Sequence, residues 1–131
     1  MIKPQIFALF VSLIIFTGTV QAQDISIQQF DFATAIEDRK PSGVDTAFTA
    51  DIGTIYCFTQ IGGISDTTQI THEWYYKEEE KARIDLTVAG DNWRTWSSKT
   101  ILESWTGPWQ VMVIGPDGDV LATKNFVITE N

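Results

Sequence analysis

Seven side chains in the middle of the chain have types and spacings suited to recognition chemistry: His72, Trp74, Trp93, Arg94, Trp96, Lys99 and Trp105. All five tryptophans fall between Trp74 and Trp109. An indole supplies a broad apolar face with a polar handle, and aromatic platforms beside hydroxyls stack on sugars or hold peptides. Arg94 and Lys99 add cations, and the arginine fork matches a carboxylate in a way lysine cannot. His72 is the only histidine. As a general base it would need a positioned nucleophile and an orienting acid. Ser97 and Ser98 are candidate nucleophiles, but no nucleophile elbow or other hydrolase signature surrounds either. His72 is therefore read first as a hydrogen-bonded structural residue and second as a ligand contact.

Other catalytic chemistries find little footing. Zinc sites take several His or Cys ligands, and the chain has one of each. Asp117-Gly118-Asp119 offers too few oxygens for a calcium loop and reads as a turn. There is no glycine-rich phosphate loop and no paired-carboxylate motif. The expectation is a non-catalytic protein with neither metal nor cofactor.

The elements that must position these residues are strands. After residue 22 no segment shows a helical period. Short β-branched and aromatic runs alternate with turn residues at intervals of about ten, as in a sandwich or barrel. The pattern predicts seven strands: 26–36, 55–60, 69–76, 82–88, 93–100, 109–114 and 120–128. Alternation places Ile84, Leu86 and Val88 on one face of their strand, and Val111 and Val113 in line with Trp109. Phe126 and Ile128 continue the inward series on the last strand. His72, Trp74 and Tyr76 share a face, opposite Thr71, Glu73 and Tyr75.

Turn chemistry separates the strands. Ala89-Gly90-Asp91-Asn92 is read as closing a hairpin, and Gly115-Pro116-Asp117-Gly118 as a tight turn. Lys77 to Lys81 reads as a solvated charged loop, and Glu37 to Asp51 as the longest and least regular connection. Trp93 and Trp96 differ by an odd number, so they point to opposite faces of one strand. A three-residue loop at 90–92 would pair Leu86 with Trp96 and turn Trp96 inward; a two-residue loop would reverse this. Either way one indole is left on the outer face.

The first 22 residues read as a cleavable signal peptide. Lys3 supplies a basic start, Ile6 to Phe16 is almost wholly apolar, and Val20-Gln21-Ala22 places small residues at a cut. The apolar run is well short of the roughly 20 residues a membrane helix needs. Residues 23–131 then form one domain, exported to the periplasm or the medium, with no stable membrane insertion after cleavage. Without Lys3 the chain holds 8 basic and 17 acidic residues, a net charge of −9. Such a balance excludes nucleic acid as a partner and disfavours anionic lipid. Cys57, the only cysteine, lies in the apolar run Ile55-Tyr56-Cys57-Phe58 and reads as a buried small hydrophobe.

Several segments resemble the bacterial family catalogued as domain of unknown function 2914. They are Ile36-Glu37-Asp38-Arg39-Lys40-Pro41, Ile55-Tyr56-Cys57-Phe58-Thr59, His72-Glu73-Trp74-Tyr75-Tyr76 and Trp93-Arg94-Thr95-Trp96-Ser97-Ser98-Lys99. Gly107-Pro108-Trp109-Gln110-Val111 and Pro116-Asp117-Gly118-Asp119-Val120-Leu121 extend the likeness over about Ala33 to Ile128. Lys40 departs from it, standing where the family often has an acid before the proline. The resemblance implies a small extracytoplasmic β-domain with no established catalytic residues, and a shared feature made of Arg39, His72, Trp74, Arg94, Ser97 and Lys99.

The fold expectation is thus a single immunoglobulin-like antiparallel β-sandwich of about seven strands. The functional expectation is a binding module for an envelope glycan or peptide through an aromatic and basic face. A structural or protein-interaction domain, docking on another envelope protein, is the alternative.

Overall fold

A computed structural model describes residues 24–131. The predicted signal segment, residues 1–22, lies outside the described residues. The described part is all β: β1 (Ser26–Ala33), β2 (Ala35–Glu37), β3 (Lys40–Ser42), β4 (Ala47–Thr49), β5 (Thr54–Gly62), β6 (Thr68–Tyr76), β7 (Glu79–Val88), β8 (Trp93–Thr100), β9 (Gly107–Ile114) and β10 (Val120–Thr129). Among the described residues no helix is long and apolar enough to cross a membrane.

The strands form a three-stranded sheet of order β1-β5-β8, a five-stranded sheet of order β4-β10-β9-β6-β7, and a small β2-β3 hairpin. The two larger sheets face each other in a sandwich-like arrangement. One core cluster joins Phe32, Ile55 and Cys57 of the first sheet to Trp74, Trp109, Val111, Phe126 and Ile128 of the second. A second joins Ile61 to Ile70, Val88 and Val113. The aromatic centre is tightly interlocked: Phe126 stacks on Trp109 at 5.6 Å between centroids and meets Phe32 at 4.6 Å. Burying such rings is the largest apolar gain available to a domain of this size.

Each predicted strand is present, and the inward series built on Val88, Val111, Val113, Phe126 and Ile128 is buried. Four expectations need correction. The first strand stops at Ala33 and resumes after Thr34 as β2. The stretch 37–51, expected to be irregular, contains β3 and β4, and β4 runs parallel to β10, so the sandwich is not wholly antiparallel. Residues 79–81 belong to β7, which leaves Lys77 and Glu78 as a two-residue turn with φ of 47° and 69°. Asp38 and Arg39 form the matching turn of the β2–β3 hairpin at 49° and 61°. Positive φ at both central positions suits the right-handed twist of the flanking strands, but glycine or asparagine normally supplies it. These turns lack both, which is why the sequence hides them.

The fourth correction bears on the tryptophans. β7 and β8 do not pair with each other; β7 pairs with β6, and β8 pairs with β5 in the opposite sheet. The 89–92 turn therefore carries the chain from one sheet to the other. Asn92 takes positive φ, as its type allows, and the Asp91 carboxylate accepts the Gly63 N–H at 2.7 Å. Partnering Phe58 rather than Leu86 turns Trp96 outward, while Trp93 packs on the inner Ile61–Val88 cluster.

Candidate functional site

The inner faces of β5, β6 and β8 bring polar side chains together inside the core. His72 on β6 is 0% exposed, and its Nδ1 lies 2.7 Å from the Ser97 hydroxyl on β8. Trp74 Nε1 donates to the same hydroxyl at 3.1 Å. On the other side of the ring, Nε2 lies 3.1 Å from the Thr59 hydroxyl, which donates onward to the Thr95 carbonyl at 3.4 Å. These contacts run in one direction. Ser97 accepts from Trp74 and gives its proton to Nδ1; Nε2 then carries the ring proton and donates to Thr59. The imidazole is thus neutral, with its proton on Nε2. Burial lowers its pKa to about 4, because a charged ring would lose its hydration.

This arrangement sets a serine beside a histidine, yet the second ring nitrogen meets a hydroxyl where a catalytic triad would place a carboxylate. Ser97 is 5% exposed. Its chemistry is that of a satisfied buried network, which ties the two sheets together in a fixed register. Cys57 is also wholly buried, and burial pushes its thiol pKa upward, far from thiolate formation.

The outer face of the three-stranded sheet is different. β5 turns Phe58 outward, and Trp96 on β8 stacks against it at 6.3 Å and 13°. Phe58 is nonetheless only 1% exposed. The β2–β3 hairpin folds over this face and encloses a pocket of about 270 Å³ whose wall includes Phe58. β1 contributes Gln29 and Asp31, and the hairpin contributes Lys40 and Pro41. Val44 and Arg94 complete the lining. Gln29 donates to Asp31 at 2.7 Å, and Lys124 approaches the same carboxylate at 3.6 Å from β10. Among the described residues, neither the Arg94 nor the Lys40 side chain has a hydrogen bond or ion pair.

A third cluster closes one end of the sandwich. Trp105 lies in the β8–β9 connection, 5.7 Å from the Trp109 ring and 6.1 Å from Tyr76. Its carbonyl accepts from Trp109 Nε1 at 3.1 Å. Lys81 of β7 and Lys99 of β8 both approach its ring, at 5.4 and 5.3 Å. Cations over an indole face are held by its quadrupole. Lys99 therefore already has an aromatic partner.

The outer face of the five-stranded sheet carries an ionic ladder and a wider groove of about 450 Å³ beside Tyr75, Gln110 and Met112. Arg83 pairs with Glu73 at 2.7 Å, Tyr75 donates its hydroxyl proton to the same carboxylate, and Thr71 donates to Asp85 at 2.7 Å. Among the described residues no three His, Cys, Asp or Glu side chains gather as a metal site.

The seven residues singled out from the sequence thus divide among separate places. His72 and Trp74 lie in the core, both 0% exposed and so out of a ligand's reach. Trp93 packs on the second apolar cluster. Lys99 and Trp105 meet at the sandwich end. Arg94 lines the hairpin pocket, and Trp96 backs it through Phe58. Of the feature implied by the family resemblance, His72, Trp74 and Ser97 do meet, while Arg39 sits in the hairpin turn.

Six pocket residues escaped the sequence reading: Gln29, Asp31, Phe58, Lys40, Pro41 and Val44. Alternation on β1 could have placed the first two on an outer face, and on β5 it sets Phe58 opposite Cys57. Nothing local signals that Lys40 folds back over them.

No curated protein matches the chain. The family match spans residues 67–128, from the start of β6 nearly to the end of β10. It covers all seven residues above and stops short of Lys40 and Phe58, a narrower span than the likeness from Ala33 onward. The family that this stretch matches is described as protein of unknown function (DUF2914).

Proposed function

We propose that the chain is an exported, non-catalytic binding module that takes one group of an envelope glycan or peptide into the pocket over Phe58. The observation that carries this reading is Arg94. Its guanidinium lines a formed pocket without an ion pair among the described residues, in a protein whose net charge is −8. A structural arginine in a protein this acidic would be expected to find a carboxylate, as Arg83 does with Glu73. An unspent five-donor fork beside an apolar wall is how a binding site for a polar ligand is built.

The signal segment supports export, and an immunoglobulin-like sandwich is the fold reading that suits the strand order best. β8-β5-β1 opposite β10-β9-β6-β7 follows the layout of a three-stranded sheet against a four-stranded one, with the second sheet extended by β4 at one edge. Trp74 lies on the third long strand and Cys57 on the second, in one core cluster. Those are the positions of the buried tryptophan and the first disulfide cysteine in antibody-type domains.

The second reading, a structural or protein-interaction domain of the envelope, draws on the core network. His72, Trp74 and Ser97 spend their hydrogen bonds on one another. A ligand reading that needed them would fail, but one centred on Arg94 does not.

The test is tryptophan fluorescence of the purified protein during titration with envelope glycans and peptides. Trp96 stacks on Phe58 and reports on the pocket. A saturable change that disappears in Arg94→Ala, with circular dichroism unaltered, is the expected result. No response from any ligand, together with loss of fold in Arg94→Ala, would transfer the arginine to the structural reading.

A further inference from the structure

We infer that the hairpin pocket is selective for a carboxylate-bearing sugar, a single hexuronate-type ring of a glycan, held through its carboxylate by Arg94 and Lys40. This rests on the binding reading above and deepens it by naming the ligand class.

Charge comes first. Three ionised side chains line the pocket: Arg94, Lys40 and Asp31. Asp31 is already compensated, by Lys124 at 3.6 Å and by the Gln29 amide at 2.7 Å. The two cations have no such partner among the described residues. The pocket is therefore locally positive on an acidic protein, and an anion entering it gains from both cations. Arginine presents parallel N–H donors matched to a carboxylate, and lysine adds a point charge.

Size and wall chemistry narrow the class. A volume of about 270 Å³ lies near the lower end of ligand pockets and takes one ring, with the rest of a chain left outside. Pro41 and Val44 give an apolar side for the C–H face of a ring, while Phe58, itself buried, backs the pocket. Asp31 retains acceptor capacity beyond its two contacts, and Gln29 retains its carbonyl oxygen. Ring hydroxyls can donate to these acceptors. An acidic peptide side chain brings a carboxylate but no hydroxyls, so only backbone N–H groups, set several bonds away from that carboxylate, could serve the Gln29–Asp31 wall. A phosphate dianion would press its second charge toward Asp31.

The β2–β3 hairpin makes this selectivity. Lys40 leaves the Asp38-Arg39 turn in register with Glu37, and Pro41 follows at once, so the cation and part of the apolar wall ride on one hairpin. The other cation, Arg94, is fixed on β8 opposite Gln60.

The decisive experiment follows amide chemical shifts of the 15N-labelled protein during titration with methyl glucuronoside, methyl glucoside, N-acetylglutamate and inorganic phosphate. The expected result is a saturable shift at Gln29, Lys40 and Arg94 with the glucuronoside, and at least about tenfold weaker binding of the neutral glucoside. Arg94→Gln and Lys40→Gln, checked for native spectra, should each erase most of that preference. Equal binding of the acidic and neutral sugars would overturn the carboxylate inference and leave the binding reading standing. Tighter binding of acetylglutamate or phosphate would overturn the sugar class. Silence from all four in this pocket, with a response elsewhere or none, would overturn the inference together with the pocket it rests on.

Discussion

His72 Nδ1 lies 2.7 Å from the Ser97 hydroxyl, a polar link across the gap between the two sheets' inner faces. Both residues are buried, and the imidazole has no carboxylate partner to stabilise a charge. The folded state therefore favours the neutral ring.

The pH dependence follows from this. The pKa of His72 drops from 6.5 to about 4 on folding, so between these values the unfolded chain binds the extra proton. Stability is therefore full above pH 6.5 and falls as pH drops toward 4, by roughly 3 kcal/mol in all. Urea midpoints measured between pH 7 and 5 check this in a window where carboxylates contribute little. His72→Gln should be less stable at pH 7 yet lose much less over that window. Parallel losses in both proteins would show that another group senses the acid.

Neighbouring serines on β8 should respond in opposite ways. Ser97→Ala strands both the Trp74 Nε1–H and the His72 Nδ1 in the core, at an expected cost of about 2–4 kcal/mol. Ser98 is exposed on the other face, and Ser98→Ala should fall within about 0.5 kcal/mol of the parent. Thermal melts of the two variants read the contrast directly.

Local patterning made most of the strands legible, because alternation is a property of one strand and needs no knowledge of its partner. The inward line of Trp109, Val111 and Val113 could be read from the sequence alone. Partnership could not. Ala89-Gly90-Asp91-Asn92 has the same turn chemistry whether β8 folds back on β7 or crosses to β5, so the faces of Trp93 and Trp96 depended on information outside the segment. The hairpin turns at Asp38-Arg39 and Lys77-Glu78 use residues that seldom adopt positive φ, and they stayed hidden for that reason. The pocket was illegible because alternation sets Phe58 on the face opposite Cys57 but the run Ile55 to Phe58 has no strongly polar residue to say which face is outer. Only the β2–β3 hairpin, a long-range contact, turns an outer-face phenylalanine into a pocket wall.

Two glycines separate backbone strain from steric contact. Gly118 ends the Gly115–Gly118 turn at φ +86° with open space around its missing side chain. Gly118→Ala should therefore cost about 1 kcal/mol, the left-handed penalty alone. Gly63 has φ +78°, and an added Cβ would stand 2.1 Å from the Asp24 carbonyl oxygen. Gly63→Ala must pay both terms and displace backbone, so a loss of at least about 2 kcal/mol is expected. Equal melting temperatures for the two variants would show that the segment before β1 yields freely.

The ladder on the outer face of the five-stranded sheet can be tested by spectroscopy. Tyr75 donates its hydroxyl proton to Glu73, and this bond, with the loss of hydration and nearby negative charge behind it, pushes its pKa up to about 12. The neutral phenol is the favoured form in the folded protein, so ionisation there is delayed past the ordinary value of 10. Removing the carboxylate's charge with Glu73→Gln weakens the bond and removes the Glu73 share of the repulsion, leaving that of Glu80. The Tyr75 titration should then move back toward 10, while Arg83 loses its partner and the sheet edge loses a modest amount of stability. Ultraviolet absorbance of the phenolate, with Tyr75→Phe to identify its share among the three tyrosines, follows the shift. An unchanged titration in Glu73→Gln would mean that burial, and not the carboxylate, holds the phenol's proton.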